Sequence, residues 1–145
     1  MGELITWACV VVALNSLDSA TTYIGLQKLP TPLRGKEGNP LLAFLMARRP
    51  LVAHLLKNLV VIGVAIAAVY FEERSGLMFA AAAFSLVVLN NLYLIVVKLL
   101  TKKRHFSPIY RLSKWFGVPE ILSYPFALAT ILGTAWGITW LLGGV

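Results

Sequence analysis

Apolar residues fill four stretches of the chain, Leu4–Leu26, Leu51–Phe71, Leu77–Leu100 and Val118–Leu142, and the charged residues gather between them. None of the four alternates as a strand would, and each reaches the roughly 20 residues that carry a helix across hydrocarbon. A single strand in lipid would leave its backbone groups unpaired, whereas a helix satisfies its own. The pattern predicts an all-α chain, a four-helix transmembrane bundle in which residues 1–145 form one membrane domain.

Punctuation adds detail. Asn39-Pro40 pairs a capping residue with a proline suited to the first helical position. A short interfacial helix is therefore expected over about 40–47, between spans one and two and ahead of Arg48-Arg49-Pro50. Pro50 and Pro119 also fall at helix starts. Pro125 is expected inside the fourth span, where it would free the carbonyl of Ile121. The first stretch lacks a basic leader, carries Glu3, and passes Asp18 without a small-x-small cleavage site, so it reads as a retained span and not a signal peptide.

Composition agrees with a bilayer environment. Hydrophobic residues make up 59% of the chain and charged residues 13%, against about half and about a quarter in soluble domains. The 13 basic and 6 acidic residues leave a formal charge of +7. In so apolar a chain that excess points to anionic lipid head groups and not to nucleic acid. Its distribution sets an orientation. Lys28, Arg34, Lys36, Arg48 and Arg49 lie in the first connection, and Lys102, Lys103, Arg104, Arg111 and Lys114 in the third. Glu3 and the Glu72-Glu73-Arg74 turn mark the opposite ends. The positive-inside bias then places segments 27–50 and 101–117 in the cytoplasm and both termini outside, in a cell's plasma (inner) membrane. Cys9 is alone, which excludes an intrachain disulfide, a Cys-x-x-Cys redox pair and a thiolate zinc site.

Candidate chemistry lies at a shared depth. Polar and ionisable residues inside a membrane are costly and need a partner or a purpose. Span one carries Asn15, Asp18 and Thr22 on one helical stripe, with Ser19 beside them, and span two carries His54, Lys57 and Asn58 within an arc of about 100°. Span three carries Asn90, Asn91 and Tyr93, and span four opens with Glu120, Ser123 and Tyr124. By helical rise, Asp18, Asn58 and Asn91 sit about three-fifths to two-thirds of the way from the outer face. Two accounts are open: Asp18 and Lys57 neutralise each other while asparagines bond across helices as packing glue, or the group forms a polar pocket open to the cytoplasm. No metal site and no cofactor are expected. His54 and His105 are the nitrogen ligands that a haem or metal would have, but two separate histidines better suit a hydrogen bond and a head-group contact. Gly133 with Gly137, and Gly63 with Ala67, allow close helix approach within the bundle or in a homodimer.

Asn15-Ser16-Leu17-Asp18 followed by Thr22, then Glu37-Gly38-Asn39-Pro40, then Lys57-Asn58 resembles an uncharacterised prokaryotic family of small polytopic membrane proteins. The likeness covers roughly residues 13–60. It implies that Asp18, Thr22, Glu37, Asn39, Pro40 and Lys57 belong together, and it carries no activity. Physically, Glu37 before the interfacial helix would reach Lys57, His54 or the free amides of that helix start.

These features support three functions. The first is binding or transport of a cation, a proton or a small polar solute, with Asn15, Asp18, Thr22, Glu37, Asn39, His54, Lys57, Asn58, Asn90, Asn91 and Tyr124 as the candidate binding residues. Four short spans are few for alternating access, so that version calls for a dimer. The second is an accessory or structural subunit of a larger membrane complex. The third is an enzyme acting on a lipid-linked substrate, with Glu37 and His54 as base and acid. The chain shows no Ser-His-Asp order, metal-binding helix motif or paired-aspartate phosphotransfer motif, and no catalytic residue is assigned.

Overall fold

The computed structural model describes residues 1–25, 44, 48–101, 108–119 and 122–143, with the backbone alone for Ile109, Tyr110 and Tyr124. Every regular element among them is a helix: α1 (Gly2–Tyr23), α2 (Pro50–Tyr70), α3 (Arg74–Thr101), α4 (Pro108–Trp115) and α5 (Ser123–Leu141). Three of these, α1, α2 and α3, are long and apolar enough to cross a membrane.

Helix boundaries follow local chemistry. Pro50 occupies the first turn of α2, where its missing N–H deprives the helix of nothing. At the far end of α2, Glu73 N–H bonds to Ala68 O at 2.8 Å and Glu72 N–H to Val69 O at 3.2 Å. This pair is the Schellman arrangement, which needs a left-handed residue between helix and exit. Glu72 supplies it, at φ 58°. α3 then begins at once with Arg74.

The expected span over 118–142 begins later than its apolar pattern suggests. Phe116 and Gly117 close α4, with Val118 N–H bonded to Ser113 O at 2.9 Å and Gly117 N–H to Lys114 O at 3.0 Å. Gly117 takes φ 68°, which turns the chain away from α4 before α5 can start. Pro125 consequently falls in the first turn of α5, at a position whose N–H has no acceptor within the helix. It is not a mid-span break. The apolar part of α5 runs Pro125–Leu141, about 25 Å of helix. α4 was not anticipated. Of the interfacial helix expected over 40–47, only Phe44 is described. It is helical, and the Arg48 guanidinium lies 4.4 Å from its ring centroid.

α1 packs against both α2 and α3, α3 against α5, and α4 against α5. α1 and α3 run parallel: Glu3 pairs with Arg74 at 2.7 Å at one end, and Asp18 meets Asn91 farther along. α2 runs antiparallel to α1. Small side chains permit close approach at this three-helix seam, where Val11, Ala65, Leu77 and Ala81 are buried together and ringed by Leu4, Trp7 and Phe84. Between α3 and α5, Phe79 meets Trp136 edge-on at 6.3 Å. Ser113 of α4 donates to Ser123 of α5 at 3.4 Å, with both buried. The apolar surface faces outward instead: Leu55, Leu59, Val64 and Ile66 of α2 are each more than half exposed. Water does not tolerate so large a continuous apolar patch, whereas lipid does.

Candidate polar site inside the helix bundle

The stripe on α1 fixes the site's geometry. Residues three and four apart share a helix face, so Asn15, Asp18, Ser19 and Thr22 point together at the seam with α2 and α3. Asn15, Asp18 and Ser19 are buried, at 0%, 6% and 6% exposure. α2 answers with Lys57 and Asn58, and α3 with Asn91.

Asp18 is the hub. Its Oδ2 forms a direct ion pair with the Lys57 ammonium. Its Oδ1 accepts from Asn91 Nδ2 at 2.8 Å and from Thr22 Oγ1 at 3.3 Å. The same Asn91 amide also reaches the hydroxyls of Thr21 and Thr22, each at 3.3 Å, while the Thr21 hydroxyl donates to the Asp18 carbonyl at 3.0 Å. The Lys57 ammonium lies 6.0 Å from the Phe84 ring centroid, at the outer limit for a cation over an aromatic face. One carboxylate is thus held from three helices.

A second layer stacks on the first. Asn15 Nδ2 donates to Asn58 Oδ1 at 2.6 Å, which also receives the Ser16 hydroxyl at 3.4 Å. Asn58 Nδ2 donates to the His54 carbonyl at 2.9 Å and to Ser19 Oγ at 3.5 Å. His54 presents its ring edge-on to Tyr23 at 6.0 Å. Two polar atoms here are buried and have no partner among the described residues, Asn15 Oδ1 and His54 Nδ1. Buried polar atoms are normally satisfied, so this layer has unused hydrogen-bonding capacity among the described residues.

Of the residues singled out from sequence, the structure brings together Asn15, Asp18, Thr22, His54, Lys57, Asn58 and Asn91. Asn90 is not among them. It neighbours Asn91 on α3 but turns about 100° away, towards α5. Glu37, Asn39 and His105 lie outside the described residues, as does the side chain of Tyr124, so the expected Glu37–Lys57 contact and a ligand role for His105 do too. Thr21 and Ser16 join the network without having been anticipated. Thr21 could have been found from sequence, since it lies three residues beyond Asp18 and neighbours Thr22. Among the described residues, no group of three or more His, Cys, Asp and Glu is placed to hold a metal ion.

A chain whose described elements are all helices, three of them long and apolar enough to cross a membrane, with a charged pair in their seam defines a class of small helical proteins. Within that class the chain belongs to the family described as a domain of unknown function, DUF5658, whose model matches residues 9–97. The matched segment contains every residue of the Asp18 network and ends before α4 and α5. No curated protein and no solved structure matches the chain.

Proposed function

We propose that the protein is a four-span plasma-membrane protein whose Asp18 carboxylate binds a small cation or a proton from the cytoplasmic side, with the Lys57 ammonium as the resident counter-charge that the incoming cation displaces. The carrying observation is that Asp18 gathers donors from α1, α2 and α3. A carboxylate and an ammonium inside hydrocarbon are expensive, and apolar side chains of similar size would join three helices at lower cost. Packing glue would also be expected to satisfy its polar atoms, yet among the described residues Asn15 Oδ1 and His54 Nδ1 have no partner. Once Lys57 swings aside, the oxygens of Asp18, Thr21 and Thr22 form a hard-cation set.

In this reading α5 completes the fourth span, the basic segments 27–50 and 101–117 face the cytoplasm and touch anionic head groups, and both termini lie outside. Movement of the ion across the bilayer would need a homodimer or larger assembly. A second reading draws on the direct contact between Asp18 and Lys57. The pair would then act as an electrostatic staple that shapes α1, α2 and α3 as a platform for a larger complex.

Proteoliposomes loaded with a pH-sensitive dye separate the two. Binding or transport predicts a proton or alkali-cation flux that Asp18→Asn abolishes while the protein still folds. A wild-type protein that shows no flux and no stabilisation by lithium, sodium or potassium leaves the staple standing alone.

A further inference from the structure

α3 sends two consecutive asparagines to two different neighbours. Asn91 meets Asp18, whereas Asn90 lines a separate cavity of about 280 Å³ between α3 and α5. Leu86, Leu89, Tyr93, Thr130, Ile131 and Thr134 share its wall, and Pro108 sits at the end where α4 begins. Leu86 to Tyr93 spans about 10 Å along the helix.

The polar atoms of this wall define what it can hold. Asn90 Oδ1 is buried and has no partner among the described residues. The Thr130 hydroxyl spends its single hydrogen on Phe126 O, and that of Thr134 on Thr130 O, each at 2.8 Å. Both threonines can therefore only accept from a guest. Among the described residues the wall carries no charged side chain, and against these an ionic guest would be desolvated without compensation. Tyr93 adds an aromatic ring with a hydroxyl that can donate or accept, and the leucines and Ile131 make the rest aliphatic. The space exceeds what one water needs, and the leucine and isoleucine walls give further waters nothing to bond.

We infer that this cavity binds the head of a neutral, hydroxyl-bearing amphiphile taken from the bilayer. The guest hydroxyl donates to Asn90 Oδ1 as the amide turns that buried oxygen towards the cavity, and the guest chain lies along Leu86, Leu89 and Ile131. The inference is independent of the ion-binding reading, because it uses none of the Asp18 network.

Photolabelling of the full chain in lipid nanodiscs with a diazirine-bearing octanol tests it. Adducts should map to 86–93 and 130–134, and excess octanol should suppress them while octane and octanoate do not. Asn90→Leu should lower labelling roughly tenfold, the loss expected for one buried hydrogen bond. Its thermal midpoint should hold or rise, because an unpaired oxygen has been removed. Adducts spread over lipid-facing residues, competition by octane equal to that by octanol, or undiminished labelling of a folded Asn90→Leu protein would each overturn the proposal. The first two use the wild-type chain, so the result does not depend on the variant's folding.

Discussion

Asp18 is only 8% exposed at its side chain and Lys57 22%, so neither is solvated as a free ion would be. Removing one partner leaves the other uncompensated, which typically costs about 3–5 kcal/mol in a buried pair. Because Lys57 keeps some exposure, Lys57→Met should fall at the low end, about 3 kcal/mol. Adding Asp18→Asn to that variant should restore most of the loss, since the isolated charge is gone. Equilibrium unfolding of the four proteins in mixed micelles measures this coupling, and purely additive effects would show that the two side chains act separately. Asn91→Leu removes a donor from the same carboxylate and should cost about 1–3 kcal/mol, read from the same unfolding curves. Much of this cluster was legible in advance. Helical spacing put Asn15, Asp18 and Thr22 on one stripe, and depth linked Asp18 to Asn58 and Asn91, with Lys57 about one turn nearer the cytoplasm. What could not be read was which of two adjacent asparagines faces which neighbour. That depends on the order of the helices around the bundle, with α3 lying between α1 and α5, and hydropathy along the chain carries no record of it.

Two helix ends in this chain solve one geometric problem with opposite residues. Both α2 and α4 close through a left-handed position, which costs a residue bearing a Cβ about 1–2 kcal/mol and glycine almost nothing. At the end of α2 that position is Glu72, and at the end of α4 it is Gly117. Glu72→Gly should therefore stabilise the protein by about 0.5–1 kcal/mol, after allowance for glycine's greater freedom in the unfolded chain. Gly117→Ala should destabilise it by about 1 kcal/mol. A Cβ at Gly117 would meet nothing within 4 Å, so that loss is a backbone effect alone. Opposite shifts in thermal midpoint check the pair, and a shift of the same sign in both would refute the shared-motif account. The same ends explain what sequence reading caught and missed among the elements. The first three spans carry long unbroken apolar runs and were placed within a few residues. α4 has only eight residues, Pro108–Trp115, too few for a periodic signal to stand out beside 118–142. Gly117 and Pro119 read as interruptions before a long span, when together they end one helix and delay the next.

At the scale of the whole molecule, polar groups and apolar surface are distributed unevenly along the bundle axis. The end that holds Glu3, Arg74 and the Val11–Leu77 cluster packs as hydrocarbon, with one exposed ion pair at its rim. Towards the other end lie the Asp18 network and, beyond it, α4 with Arg111 and Lys114. The proposed topology turns this asymmetry into a direction: the polar end faces the cytoplasm, where the cation or proton would enter. Single cysteines test it once Cys9 is replaced by alanine. Glu73→Cys, in the exposed turn between α2 and α3, should react with a membrane-impermeant maleimide in intact spheroplasts. Lys114→Cys, exposed on α4, should react only after lysis. Two sites suffice because α3 separates them and one crossing must place them on opposite sides. Equal labelling of both before lysis would deny that α3 crosses the bilayer. A reversed pattern would keep the crossing but open the Asp18 site to the outside, and a cation drawn from the cytoplasm would then have no route to it.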